Sequence, residues 1–76
     1  MNNARRKQLQ EAINLIEQAK TLIEIARDEE QDAFDNLPES LQSAGTGVKM
    51  EEAVSQMEEA LSESENIVDA LGSAIE

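Results

Sequence analysis

The chain has 76 residues and a net charge of −11, from 17 acidic and six basic side chains. It contains no Cys or His, which excludes disulfides and the usual zinc, copper and nickel ligands. Phe34 is its only aromatic residue, so bases have nothing to stack on and we expect no direct nucleic-acid binding.

A chain this short buries only about 60% of the surface of its unfolded state, and extra burial must come from elsewhere. We therefore expect a homo-oligomer, with a dimer favoured. No apolar run approaches the ~20 residues of a membrane span and no secretory leader is visible. The expected location is the cytoplasm, without membrane attachment.

The first predicted helix covers about residues 3–35, with Asn3 as the expected N-cap. Leu15 and Leu22 widen its apolar stripe to about half the circumference at ~100° per residue. A two-helix hairpin covers only one seam on each helix, so this breadth predicts further helical neighbours. Apolar residues recur at three- and four-residue steps at Leu9, Ala12, Ile13, Ile16, Ala19, Ile23 and Ala26.

Three cations, Arg5, Arg6 and Lys7, follow in the first turn of this helix. Cations at a helix N-terminus oppose the helix dipole and cost a few tenths of a kcal/mol each. Two interpretations remain open. The cluster is either a solvated terminus or an anion-binding site for phosphate groups.

Residues 28–39 combine acidic spacing with helical propensity. Asp28, Glu30, Asp32 and Glu39 match ligand positions of a calcium loop, but Ala33 stands where the sharp turn needs Gly. In a helix these carboxylates would point around a cylinder rather than towards one ion. We expect no metal site and no cofactor.

The reversal of the chain is predicted at about residues 36–47. Leu37 precedes Pro38, the only proline, and this pair should end the first helix. Pro38 could be the first residue of a short helical turn over residues 38–42. Gly45-Thr46-Gly47 is interpreted as a flexible joint, with Thr46 as the N-cap of the next helix.

The second helix is predicted over about residues 48–75, and the whole chain forms a single domain, 1–76. The predicted fold is all-α: an antiparallel, coiled-coil-like helical hairpin that self-associates into a helical bundle. The apolar positions are Met50, Ala53, Val54, Met57, Ala60, Leu61, Ile67, Val68, Leu71, Ala74 and Ile75.

Charge is distributed unevenly along the chain. Residues 1–27 carry five basic and three acidic side chains, whereas residues 28–76 carry one basic and fourteen acidic ones. Exposed helices normally mix signs, yet Glu59/Glu63 and Glu65/Asp69 are like-charged pairs four residues apart. This face is either a solubilising surface or a binding surface for a basic protein. The predicted partner-binding residues are Asp28, Glu29, Asp32, Asp35, Glu51, Glu52, Glu58, Glu59 and Glu63.

No arrangement typical of an enzyme is present. Carboxylate catalysis requires burial or crowding in a pocket, and these Glu residues are expected to lie in water. No nucleophile has a recognisable base beside it, and no Gly-rich phosphate loop follows a strand. We therefore expect a protein that is not an enzyme.

Two segments, Asn3–Lys7 and Asp28–Gln42, resemble small acidic helical proteins of unknown function from phages and prophages of Gram-positive bacteria. The likeness spans most of the chain, although Gly45-Thr46-Gly47 is less charged than the resemblance leads us to expect. It implies a phage-borne accessory role in a bacterial host, of the kind that inhibits host defence or host enzymes.

The leading hypothesis is therefore an anti-defence inhibitor that binds a basic host protein through its acidic helical face, as a possible mimic of DNA. A second hypothesis is an oligomeric sponge that sequesters an anionic nucleotide through Arg5 and Arg6. A third is a purely structural oligomer.

Overall fold

The protein is described by a computed structural model that covers all residues, 1–76. Three helices follow one another: α1 (Asn3–Asp35), α2 (Glu39–Gln42) and α3 (Gly45–Ile75). The two long helices pack against each other in opposite directions, so that Arg6 near the start of α1 contacts Ile75 at the end of α3. The predicted all-α antiparallel helical hairpin is confirmed.

A single seam of mostly apolar side chains joins α1 and α3, and Lys20, Arg27 and Glu30 of α1 and Ser64 of α3 are half-buried polar members of it. The seam follows the heptad spacing of a coiled coil, and it is one layer thick because each long helix packs against only one other long helix, while the short α2 contacts α3 at the turn. Only Val54 and Leu61, at 7% and 8% exposure, are buried apolar residues. The seam is lined by Leu9, Ile13, Ile16, Ile23 and Phe34 from α1 and by Met50, Val54, Met57, Leu61, Val68, Leu71 and Ile75 from α3.

Two predicted helix starts are corrected by one position. The N-cap of α1 is Asn2 rather than Asn3: the Asn2 Oδ1 accepts a hydrogen bond from the Arg5 backbone N–H at 2.9 Å. Asn3 Oδ1 instead accepts from Arg6 Nη1 at 3.1 Å. Pro38 is the N-cap of α2 rather than its first residue, and its carbonyl accepts from the backbone N–H groups of Leu41 and Gln42.

The prediction of a flexible joint at residues 45–47 is wrong. Helix α3 begins at Gly45 with Ala44 as its N-cap, so Thr46 is not the cap and Gly47 lies in the first turn. Gly47 is buried against the backbone of Gln42, and a Cβ at Gly47 would lie 2.6 Å from the Gln42 Cα. This glycine is required for close approach rather than for flexibility.

The Gln42 side chain ties the turn to the end of α1. Its Nε2 donates to the backbone carbonyls of Phe34 and Leu37, both at 3.2 Å. The Phe34 carbonyl lies in the last turn of α1, where carbonyls have no partner within the helix, and it also accepts from the Leu37 backbone N–H at 3.0 Å. Gln42 therefore satisfies the end of α1 while its backbone contacts Gly47 of α3, and this fixes how the two long helices meet.

The hairpin is long and thin. Its Cα envelope measures 58 × 15 × 13 Å and its radius of gyration is 17.2 Å, against about 11 Å for a compact chain of this length. Its accessible surface is 5459 Å², whereas a compact monomer of this mass exposes about 4,600 Å². Both broad sides of the hairpin therefore remain uncovered.

Candidate protein-binding faces

The antiparallel arrangement gives the hairpin two broad faces of different chemistry. Each residue is rotated by about 100° from its neighbour in a helix. Residues one position before the seam residues therefore lie on one side of each helix, and residues one position after them lie on the other. Because α1 and α3 run in opposite directions, the preceding residues of both helices share one face of the hairpin and the following residues share the opposite face.

The first face is apolar and rich in small side chains; we call it the alanine face. Leu15 and Leu22, at 58% and 69% exposure, lie at its outer edge on α1, and Ile67 of α3 is 50% exposed. No acidic or basic residue lies between Ala12 and Ala26 on this side of α1. The alanine face consists of Ala12, Leu15, Ala19, Leu22, Ala26 and Ala33 on α1 and Ala53, Ala60, Ile67 and Ala74 on α3.

The opposite face carries carboxylates from both helices; we call it the acidic face. Polar side chains on its α1 side hydrogen-bond along the helix, Gln10 to Asn14 at 3.2 Å and Gln31 to Asp35 at 3.0 Å. Lys20, whose side chain is 14% exposed, forms ion pairs with Glu65 of α3 at 3.7 Å and with Glu17 of α1 at 3.6 Å. The acidic face consists of Glu17, Glu24, Asp28 and Asp35 on α1 and Glu51, Glu58, Glu65 and Asp69 on α3.

The structure divides the predicted partner-binding residues among three locations. All of them are exposed. Those on the acidic face are Asp28, Asp35, Glu51 and Glu58. Those on the outer edges of the helices, away from the seam, are Asp32, Glu52 and Glu59. Glu29 and Glu63 lie at the rim of the alanine face.

Two acidic residues of α1, Glu17 and Glu24, join the acidic face although the sequence did not single them out. They lie outside the strongly acidic part of the chain, and a helix read alone gives no reason to group them with Glu58 and Glu65. The available signal was their seven-residue spacing, which places Gln10, Glu17, Glu24 and Gln31 in one row along α1.

The N-terminal cations do not converge on one site. Arg6 Nε donates to the backbone carbonyl of Ile75 at 3.1 Å, at the C-terminus of α3. A cation is favourable there because the last carbonyls of a helix carry partial negative charge. Arg5 lies on the side of the alanine face and Lys7 on the side of the acidic face, and neither forms an ion pair within the chain.

Folding also arranges charge along the hairpin. The open end, formed by residues 1–13 and 67–76, has three basic and three acidic side chains. The middle, residues 14–26 and 55–66, has one basic and six acidic ones. The turn end, residues 27–54, has two basic and eight acidic ones, a net charge of −6. One end of the hairpin is therefore neutral and the other strongly negative.

The surface has no cleft that could enclose a small molecule, and no three carboxylates lie close enough together to hold a metal ion. Of the residues matched to a calcium loop, Asp28, Glu30 and Asp32 are part of α1, and Glu39 is the first residue of α2. No helix combines the length and the apolar character needed to cross a membrane. The surfaces available for recognition are the two broad faces.

Comparisons with protein families, curated proteins and solved structures find no match for this chain.

Proposed function

We propose that the protein is a non-enzymatic binding protein whose acidic face docks onto a basic surface of another protein. The observation that carries this proposal is the gathering of eight carboxylates from α1 and α3 on one face, with Lys20 at its edge. Ordinary exposed faces intersperse both signs of charge. An unbalanced face speeds association with a basic partner and discriminates against acidic ones.

The regular spacing of the carboxylates along the helices supports a surface with charges at fixed positions. Glu51, Glu58 and Glu65 are seven residues apart, so they recur about every 10.5 Å along α3. A second row on α1, which includes Glu17 and Glu24, runs alongside at the usual interhelical distance of about 8–10 Å. A partner with Lys or Arg residues along a groove or a helix fits this pattern.

Imitation of duplex DNA would be partial. The net charge of −11 over a 58 Å hairpin corresponds to about one charge per 5 Å, whereas duplex DNA carries one per ~1.7 Å. The acidic face could therefore occupy part of a nucleic-acid groove, with an affinity that falls steeply with salt. A phage-borne inhibitor of a host defence or host enzyme is the specific form of this function that the resemblance suggests.

The alternative of an anionic-nucleotide sponge has less support. It needs Arg5 and Arg6 free to hold phosphates, but Arg6 donates to Ile75 and Asn3. Arg5 and Lys7 lie on opposite sides of the hairpin. No second candidate function is favoured by a specific contact.

The test compares two variants of equal charge. The first carries Glu51→Gln, Glu58→Gln and Glu65→Gln on the acidic face, and the control carries Glu52→Gln, Glu59→Gln and Glu63→Gln elsewhere on α3. Both remove three negative charges from the same helix. Binding is measured by salt-titrated affinity capture from bacterial lysate with quantitative mass spectrometry, followed by titration of the purified captured protein.

The proposal predicts that the wild type and the control retain the same basic protein. The acidic-face variant should lose binding by about tenfold or more, since a single close charge pair in an interface can contribute ~1.5 kcal/mol. Equal loss in both variants would mean that only total charge matters. Equal retention, or no basic protein captured at low salt, would overturn the proposal.

A further inference from the structure

The alanine face repeats, on the side of α1, the spacing of the seam that already holds the hairpin together. Ala12, Leu15, Ala19, Leu22 and Ala26 are separated by three, four, three and four residues. This is the spacing of a coiled-coil seam. In the hairpin α3 does not cover it, because Leu15 and Leu22 are both more than half exposed. Helix α1 therefore has two packing surfaces and one neighbour.

This second row is nearly symmetric about Ala19. Ala12 and Ala26 lie seven residues to either side, and Leu15 and Leu22 lie four before and three after. If two α1 helices run antiparallel with their Ala19 residues facing each other, each Leu15 meets Leu22 of the second copy. Each Ala12 meets Ala26 of the second copy. The row is thus complementary to itself, as a two-fold symmetric interface requires.

Charge along the hairpin favours the same orientation. The antiparallel arrangement places the neutral open end of each copy beside the negatively charged turn end of the other. With the opposite orientation, two turn ends of net charge −6 would lie side by side. Arg5, which has no ion-pair partner in its own chain, would come within about four residues, or ~6 Å along the axis, of Glu29 on the second copy.

The available area is sufficient. One broad side of the 58 × 15 Å Cα envelope has a projected area on the order of 900 Å², which leaves room for the ~800 Å² that each partner contributes to a standard interface. The central residues Ala12, Ala19 and Ala26 allow the helices to approach closely, and Leu15 and Leu22 add apolar area at the edge. No acidic or basic group in this part of α1 would be buried.

We propose that the alanine face binds the alanine face of a second copy of this chain, with the α1 helices antiparallel about a two-fold axis at Ala19. The product is a dimeric four-helix bundle. Both acidic faces lie on its outer sides, where they remain free. The dimer uses a different surface from the acidic face. Failure of either proposal therefore leaves the other one unaffected.

Single-cysteine variants test the arrangement directly, because the natural chain has no Cys. A disulfide forms only when the two Cα atoms lie within about 7 Å. Under mild oxidation, the Ala19→Cys variant should become a covalent dimer in high yield. Ala33→Cys lies on the same face, but its two copies would be about 42 Å apart. Ile25→Cys lies on the outer edge of α1, away from the interface. Neither control should crosslink appreciably.

Crosslinking of Ala33→Cys as readily as Ala19→Cys would show parallel helices and overturn the proposal. Preferential crosslinking through Ile25→Cys would overturn the assigned face. Sedimentation equilibrium of the unmodified wild type supplies the companion measurement. The expected mass is about 17 kDa, twice the 8.4 kDa of the chain, and a monomer up to near-millimolar concentration would refute the dimer.

A charge exchange tests the register. Arg5→Glu alone and Glu29→Arg alone each place like charges at two symmetric contacts, so each should weaken dimerisation about three- to tenfold. An equimolar mixture of the two variants restores opposite charges at both contacts and should dimerise as tightly as the wild type. The reference exchange is Lys7→Glu mixed with Asp35→Lys, both on the acidic side, which should show no such mutual rescue. Absence of rescue in the Arg5/Glu29 mixture would contradict the proposed register.

Discussion

The alanine face and the acidic face are built from the same two helices, yet they differ in side-chain size and charge. A residue one position before the seam belongs to the first face, and a residue one position after it belongs to the second. Ala19 and Lys20 are neighbours in sequence, but the first lies on the alanine face and the second reaches Glu65 at the edge of the acidic face. A shift of two residues along the chain, from one position before the seam to one position after it, therefore separates two surfaces with different chemistry.

The difference depends on the rotation of α3 about its own axis. If the turn shifted by one residue, α3 would rotate by about 100°, and its alanines would leave the side on which Ala12 and Ala19 lie. Gln42 and Gly47 fix this rotation at the turn end, and Arg6 and Ile75 contact each other at the open end.

The largest effect is expected when a buried side chain of the seam is truncated. Leu61 is buried, so Leu61→Ala should lower the free energy of unfolding by about 2–3 kcal/mol through lost burial and the cavity left behind. Leu22→Ala, on the alanine face, should change it by no more than about 0.5 kcal/mol in dilute solution. Urea unfolding followed by circular dichroism at one low protein concentration measures both.

Protein concentration then separates the seam from the alanine face. The Tm of a dimer rises with concentration, and Leu22→Ala should reduce that rise while Leu61→Ala keeps it. Equal loss of stability in the two variants at low concentration would contradict the assignment of Leu61 to the core and Leu22 to the surface.

The next largest effect is expected when a methyl group is added at the tight contact in the turn. Gly47→Ala places a methyl group against the Gln42 backbone, and we expect a loss of about 2 kcal/mol from overpacking. The control is Gly72→Ala in the last turns of α3, where a Cβ has no atom within 4 Å. That change should stabilise the protein by about 0.5–1 kcal/mol, because Ala is the better helix former. A neutral Gly47→Ala would mean that the turn has more room than the structure shows.

At the open end a smaller loss is expected. Arg6→Gln removes the hydrogen bond to the Ile75 carbonyl and the favourable charge at the C-terminus of α3, which together are worth about 1 kcal/mol. Lys7→Gln removes a cation that makes no ion pair, and it should be neutral or stabilising by a few tenths of a kcal/mol. Thermal unfolding of the two variants in parallel checks this. A larger loss in Lys7→Gln would reverse the roles assigned to these neighbours.

The smallest effect concerns Lys20. Its ion pairs are 3.6 and 3.7 Å long and involve exposed carboxylates, so Lys20→Gln should cost less than about 0.5 kcal/mol. The same change removes a positive charge from the edge of the acidic face. Binding of a basic partner should therefore tighten and become more sensitive to salt, as isothermal titration at several salt concentrations would show. Weaker binding would mean that Lys20 itself contacts the partner.

The helical hairpin follows from local patterns, and for that reason the sequence predicts it well. Apolar residues at three- and four-residue steps extend from Leu9 to Ile23 and from Met50 to Ile75, and Pro38 separates the two runs. The same patterns predict where α1 ends. They depend on neighbouring residues in the chain, which a sequence displays directly.

The larger errors arise where a contact outside the helical pattern decides the outcome. Gly45 and Gly47 suggest flexibility when considered alone, but Gly47 is helical and buried because Gln42 packs against it. Arg6 opposes the dipole of its own helix, and its favourable position beside the end of α3 is apparent only after folding. The composition of each face likewise requires knowledge of which sides of α1 and α3 lie together.

The most direct test of the two-face account is methyl NMR of the wild type with a paramagnetic co-solute, recorded at low and high protein concentration. Leu22 on the alanine face and Val48 beside the acidic face are both exposed in a single hairpin, at 69% and 45%. The account predicts that the Leu22 methyl signals become protected from the co-solute as concentration rises, while those of Val48 stay exposed. Protection of Val48 instead, or no change at either residue, would contradict it.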